Sequence, residues 1–489
     1  MGREGSHLEM SPRRIGYFLL LALVLYDFAF SIIYVSGPAY YGDDLAYAEL
    51  AYGARQGSFV QEGNAMALRV LTVLPIAFFF VIMGVGLLSS AMWGLVSFLL
   101  TVVTTFFIAK ELYNEYAGLL AATLLSFSPL VLIHSTTVSS DVPMMMFTSL
   151  AMLSLLYGTR RNSRKWYFAC GMTIYAAALT TPEGGLVGII AFAYLVVETA
   201  RKRMTIRRSM YVLYGLLLMF ALSCVLNYLT TTPHDPFVTL SYTLGNNGYY
   251  SPIGPNAPLA NAFNQNLGYY PALMFPYSLI GIIWQDLRAG VFNPIAMWQR
   301  VYVLNSSNHA GFIFYFFVAA AAYLVLTRER RAYFTMFWFA IGFLYLEFGP
   351  QHIVLSPFSY YMVGKLDRYL LPIMPAVAIT VSIALARAWN SAKASARQLV
   401  YPFLAVLFLF LLLTGLQTAQ WSFELLANER YGLLSVSNYL MALPNSTRIY
   451  YSAISNAVVE YMGYENLTRF LQYGDLSNCH ELLNNSYVI

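Results

Sequence analysis

The sequence predicts an all-α polytopic membrane protein, and three observations carry that prediction. Of 489 residues only 28 are Lys or Arg and 23 are Asp or Glu, so 10% are charged, against roughly 25% in soluble globular proteins. Residues of the AVILMFWYC set make up 58%, and the mean hydropathy is +0.58. A soluble fold of this size does not hide so much apolar surface behind so few charges. Finally, eleven apolar stretches approach the ~20 residues that span a bilayer. The same composition excludes intrinsic disorder, which needs low hydrophobicity and high net charge. It also excludes nucleic acid as a partner, because the net charge of +5 is small and sits mostly in short loops.

The stretches fall at about 15–36, 88–109, 115–133, 141–157, 166–181, 184–200, 209–229, 309–327, 332–348, 368–388 and 400–420. The first is long and is not followed by a small-residue cleavage site, so it reads as a retained helix. Residues 65–109 are apolar almost throughout. They fit two spans, or one span plus an embedded segment, which leaves eleven to thirteen spans open.

Charge asymmetry selects eleven. With one span there, the loops 1–14, 110–115, 158–165, 198–208, 328–331 and 387–397 share one side and hold 19 basic and 6 acidic residues. The other side holds 9 basic and 16 acidic residues, with Asp27 left inside the first helix. A basic bias marks the cytoplasmic face. The expectation is a cytoplasmic N-terminus at 1–14, a bundle over 15–420, outer loops at 37–64, 230–308 and 349–367, and an outer extension at 421–489. Sequons starting at Asn305, Asn445, Asn466 and Asn484 all fall on the outer side. Three cysteines, Cys170 and Cys224 in apolar runs and Cys479 near the end, predict neither a disulfide framework nor a thiolate metal site. Tyr is abundant at 39 copies, which fits an interfacial belt or stacking against sugars.

Because outer charges are scarce, each is a candidate. Asp43 and Asp44 stand just outside the first span, at the start of a helical pattern. There they could simply cap the helix. Alternatively one carboxylate takes a proton from an incoming hydroxyl while its neighbour positions the acceptor or holds a divalent cation. No His or Cys ligand spacing supports a metal. Asp141 opens another outer helix, as a cap or a site residue, and Glu183 sits in an outer hairpin, Thr180-Thr181-Pro182-Glu183-Gly184. Arg69 begins the ambiguous apolar segment, and Lys365, Asp367 and Arg368, with Tyr369 beside them, precede the span at 368–388. These cations either snorkel to the headgroups or clamp an anionic phosphate at the membrane surface.

In this order the residues resemble the C-type (GT-C fold) integral-membrane glycosyltransferases, in the protein O-mannosyltransferase and aminoarabinose-transferase branch. Members carry an Asp-(Glu/Asp)-x-x-Tyr first outer loop, here Asp43-Asp44-Leu45-Ala46-Tyr47. An Arg-Pro-like start to an embedded segment follows, of which Arg69 survives, and then a Ser-Pro turn, Ser128-Pro129, ahead of an outer Asp, Asp141. A Thr-Lys-Pro-like hairpin is altered here to Thr181-Pro182-Glu183, and Arg368-Tyr369-Leu370-Leu371-Pro372 opens a late helix. The match covers about residues 15–390. Arg or Lys residues often found near the Ser-Pro turn and in the hairpin are absent, which bears on sugar and carrier preference. The Trp-Trp-Asp-Tyr-Gly motif of oligosaccharyltransferase catalytic subunits is also absent, which disfavours en bloc glycan transfer to Asn.

The resemblance implies a transferase that uses a polyprenyl- or dolichyl-phosphate-linked sugar and a hydroxyl-bearing acceptor at the outer face of a plasma membrane. It implies Asp43 as base, Asp44 as a positioning group, and Arg69 and Arg368 on the lipid phosphate with Lys365 in reserve. Asp141 and Glu183 would line the site beside Tyr369. Two rival readings remain: a transporter or flippase of lipid-linked sugars, which would need mid-bilayer charge and related halves, and a non-catalytic assembly subunit whose acidic pair only caps a helix.

Overall fold

The structure is a computed structural model. It describes residues 12–35, 43–61, 66–201, 206–231, 234–243, 269–275, 312–349, 366–391, 397–442, 448–451, 470–472 and 486–488. Seven helices among these residues are long and apolar enough to cross a membrane, or eight if one bent pair is a single span. The chain is thus a multi-pass membrane protein.

The elements follow the apolar stretches in order. Helix α1 spans Pro12–Ile33, α2 spans Asp43–Arg55 and α3 spans Val70–Met83. Then come α4 (Leu87–Leu112), α5 (Glu115–Ser126), α6 (Pro129–Ser135), α7 (Asp141–Arg161), α8 (Arg164–Thr180), α9 (Gly185–Ala200) and α10 (Ile206–Thr230). Short α11 (Val238–Thr243) and α12 (Tyr269–Met274) precede α13 (Ile313–Leu326), α14 (Tyr333–Phe348), α15 (Met374–Ser391) and α16 (Arg397–Ala442).

One departure from the expected spans has a clear cause. The stretch at 115–133 is not one straight helix: α5 and α6 meet at a 62° bend. Pro129 opens α6 and has no N–H to continue the ladder. Helix α3, within the ambiguous stretch, has 14 residues, about 21 Å at ~1.5 Å per residue. That is shorter than a ~30 Å hydrocarbon core, so α3 does not cross the bilayer alone. It packs between α2 and α4.

Helices α4, α7 and α15 form the centre. The α15 segment is almost wholly enclosed, whereas α1, α10 and α16 turn most of their surface outward. Their outward residues are apolar, including Phe18, Leu25, Leu217, Val225, Phe403 and Val406, as a lipid-facing rim requires. Helices α8 and α10 cross at small residues. A Cβ on Gly171 would lie 1.9 Å from the Val212 carbonyl oxygen, and one on Gly215 would lie 2.0 Å from that of Phe168. Such contacts bring two backbones together where lipid offers no hydrophobic drive to associate. Inside the rim, Asp27 of α1 is fully buried and accepts a 2.6 Å hydrogen bond from the Ser126 hydroxyl.

Helix α16 runs unbroken across residue 420, where the sequence places the edge of the extension. Beyond it, β1 (Arg448–Tyr451), β2 (Phe470–Gln472) and β3 (Ser486–Val488) form a parallel sheet in the order β2-β1-β3. Ile449 pairs with both Phe470 and Tyr487. The four sequons lie outside the described residues.

Candidate active site

The site is built where α2, α3, α7 and the segment before α15 begin. Helix α2 starts at Asp43, and its buried stripe is Asp44, Tyr47, Ala48 and Ala51. This i, i+3, i+4, i+7 spacing puts the Asp44 carboxyl on the face that packs against α3. The Asp43 backbone stands at the first helical position, and its side chain lies outside the described residues.

Tyr47 links three segments. It is 1% exposed, and its hydroxyl donates to the Ser140 hydroxyl at 3.2 Å. The same phenol oxygen accepts a hydrogen bond from Nη1 of Arg69, which also reaches Ser140 Oγ at 3.4 Å. Arg69 is held by its own backbone, since its carbonyl accepts from the N–H groups of Thr72 and Val73 in the first turn of α3. That turn is tied sideways. The Thr72 hydroxyl donates to the Thr180 carbonyl at 3.1 Å, and the Trp93 indole donates to the Leu71 carbonyl at 2.9 Å.

Thr180 ends α8, and the next residues form a 3₁₀ turn at Pro182–Gly184. Thr181 donates its hydroxyl proton to the carboxylate of Glu183, which is buried. A Cβ on Gly184 would lie 2.1 Å from the Ala177 carbonyl oxygen, so only Gly lets this hairpin close so tightly. Asp141 is the first residue of α7 and is 2% exposed. Its N–H is capped by Ser139 Oγ at 3.1 Å, and its carboxylate sits where the helix dipole favours negative charge.

Arg368 approaches from the 3₁₀ segment Asp367–Ile373, its Nε 3.2 Å from Asp141 Oδ2. Its guanidinium also lies 5.9 Å from the Tyr369 ring centroid. Asp367 caps the Arg368 N–H at 2.7 Å and comes within 3.8 Å of His134 Nε2 at the end of α6. Asp141 interacts electrostatically with Arg368, Glu183, His134 and Arg69, and Tyr369 with Glu183, Asp141, Arg368 and Arg69. The fold therefore gathers Arg69, Asp141, Glu183, Arg368 and Tyr369, and it holds Asp44 one helical turn from Tyr47. Lys365 lies outside the described residues. Asp141 Oδ1 is buried without a hydrogen-bond partner among the described residues.

Sequence reasoning left Tyr47, Ser140 and His134 off the list of site residues. Tyr47 had a signal, being the last residue of the Asp-Asp-x-x-Tyr pattern. Ser140 and His134 had none, since each acts through a residue far away in sequence. Among the described residues, no group of three or more His, Cys, Asp or Glu side chains could hold a metal ion. Among the described residues, two cavities lie elsewhere, one between α5, α15 and α16 and one among α7, α9 and α14.

The family model described as dolichyl-phosphate-mannose-protein mannosyltransferase matches residues 71–228, about a third of the chain. No curated protein matches the sequence significantly. ArnT from Cupriavidus metallidurans is similar in its apo state, with a TM-score of 0.58 at 16% identity, over 95% of this chain and 87% of ArnT. ArnT bound to undecaprenyl phosphate gives a TM-score of 0.57 at 16% identity, over 94% of this chain and 86% of ArnT. The Archaeoglobus fulgidus oligosaccharyltransferase AglB, in complex with an inhibitory peptide and a dolichol-phosphate, gives 0.53 at 13% identity, over 90% of this chain and 63% of AglB. At these identities the likeness is one of fold: this chain has the GT-C fold of integral-membrane glycosyltransferases such as ArnT and AglB.

Proposed function

We propose that the protein moves a sugar from a polyprenyl- or dolichyl-phosphate donor to a hydroxyl acceptor at the outer membrane face, with inversion at the anomeric carbon. One observation carries this reading. Two guanidiniums, Arg69 and Arg368, gather with two buried carboxylates, Asp141 and Glu183, at one end of a membrane bundle, and the buried Asp44 lies one helical turn from Tyr47, which bonds Arg69. The solved GT-C structures that hold undecaprenyl phosphate or dolichol-phosphate support the donor class.

In the proposed step, Asp43 accepts the acceptor's hydroxyl proton as its oxygen bonds to the anomeric carbon. The bond from that carbon to the phosphate oxygen breaks, and its electron pair leaves on the lipid phosphate. The growing negative charge needs preorganised positive charge beside it. Arg368 and Arg69 supply it, with Lys365 as a further cation on the same approach. Asp44 positions the acceptor, and Asp141 and Glu183 hold the two arginines and present acceptor oxygens to sugar hydroxyls. The basic loops on the opposite side support a site on the face away from the cytoplasm, in what we take to be a plasma membrane.

The test is label transfer from a radiolabelled polyprenyl-phosphate sugar into a membrane or protein extract by the purified protein. Asp43→Asn should abolish turnover with the protein still folded, and unchanged activity would sink the base assignment. Movement of intact lipid-linked sugar across liposomes without turnover would replace the transferase with a transporter.

A further inference from the structure

At the end of the bundle away from the acidic cluster, a cavity of about 630 Å³ opens among α7, α9 and α14. Its depth in the membrane follows from α7. Asp141 and Arg160 stand at opposite ends of that helix, 19 residues apart, or about 28 Å at ~1.5 Å per residue. That is close to the ~30 Å hydrocarbon thickness, so the cavity lies at the level of the other leaflet's headgroups.

Its lining is chemically two-sided. Four guanidiniums, Arg160, Arg201, Arg330 and Arg331, share the wall with one carboxylate, Glu198. Leu156, Val197, Phe334 and Phe337 form the apolar part. Three of the four guanidiniums have a carboxylate nearby, but two of these carboxylates are shared with other cations. Arg201 lies 3.3 Å from Glu198, Arg160 lies 3.5 Å from Glu111, and Arg331 lies 3.8 Å from Glu329. Glu329 is already engaged by Arg387, and Glu111 is shared with Arg161. Arg330 is exposed and has no ion-pair partner among the described residues.

Arginine forks match phosphate oxygens in pairs, and an apolar wall beside them suits the first methylenes of an acyl or isoprenoid chain. Helix α9 also turns Ile189, Phe192 and Val196 outward on the adjoining stripe, so the cavity sits at the edge of the lipid-facing surface. A soluble anion would use the arginines and leave the apolar wall bare.

We infer that this cavity binds the phosphate headgroup of an anionic membrane lipid, at the bundle end opposite the proposed transfer site. The inference does not depend on that reaction. Basic pockets between membrane helices on the cytoplasmic side are suited to anionic lipid headgroups.

The full-length protein, purified in detergent, is titrated with phosphatidylglycerol, with phosphatidylcholine and with glycerol 3-phosphate, and bound ligand is counted by native mass spectrometry. Phosphatidylglycerol should bind more tightly than either of the others by about tenfold or more, the scale of a charge-assisted contact. The double variant Arg201→Gln/Arg330→Gln should lose that preference. Arg164→Gln/Arg208→Gln, which removes the same charge at the same bundle end outside the cavity, should keep it. Arg330→Gln alone, at an exposed position, should weaken binding without altering the melting temperature. Equal loss in both double variants would show diffuse surface charge and overturn the site. Glycerol 3-phosphate binding as tightly as the lipid would overturn the lipid assignment.

Discussion

Replacing Tyr47 by Phe removes a single oxygen from the junction of α2, α3 and α7. The ring stays in its buried seat, so packing is kept and only the polar link is cut. That oxygen accepts a hydrogen bond from Arg69 and donates one of 3.2 Å to Ser140. A bond from a charged donor contributes about 1.5–3 kcal/mol and a neutral one about 0.5–1.5 kcal/mol. Arg69 retains its 3.4 Å contact with Ser140, which recovers part of the loss. A net cost of about 2 kcal/mol follows, and if it falls on the transition state it slows transfer about 30-fold at ~1.4 kcal/mol per decade. The assay is kcat/KM for label transfer, with folded yield checked by size exclusion. A double-mutant cycle with Ser140→Ala should show coupling, within the ~0.5–3 kcal/mol typical of residues in contact. Full activity in Tyr47→Phe, or strictly additive effects in the cycle, would refute the view that this link positions the acidic start of α2.

Asp141→Asn leaves the Arg368 guanidinium facing a neutral amide. Breaking a buried pair costs about 3–5 kcal/mol; Arg368 keeps 21% of its side-chain surface exposed, so the low end applies. Thermal melts should show each of Asp141→Asn and Arg368→Gln less stable than the double variant, and both singles should lose transfer by about a hundredfold. Gly171→Ala should destabilise the fold by ~1–3 kcal/mol, as an overpacked contact does, and so lower the melting temperature, because its methyl meets the Val212 carbonyl at 1.9 Å. The nearby Gly188→Ala, whose Cβ meets only Ile174 Cγ2 at 3.4 Å, is the control that should change little.

The parts of this architecture that the sequence showed are those set by local chemistry. Asp43 and Asp141 begin helices, Glu183 falls in a tight hairpin and Arg368 opens the approach to a late helix, because caps, prolines and dipoles act over a few residues. The bend between α5 and α6 was less visible. Apolar composition continues through it, and only Pro129 marks it. Which helices are central was not legible either. In a bilayer both the core and the lipid-facing rim are apolar, so α10 and α15 look alike in sequence though one is peripheral and the other enclosed. The Tyr47–Arg69–Ser140 junction was hidden for a different reason, since its members lie 22 and 71 residues apart and nothing local to any of them signals the others.

The α5–α6 bend also fixes the place of the last helix. Broken backbone at membrane depth is tolerated only where protein covers it, and Gly415 of α16 lies so close that an added Cβ would fall 2.1 Å from the Phe127 carbonyl oxygen. The bend is thus the socket that indexes a 46-residue helix. One residue inserted between Gly415 and Ala442 leaves the socket intact and rotates the rest of that helix by about 100°, the helical step. The direction that each face of α16 takes beyond the socket is therefore set by the count of residues along this shaft.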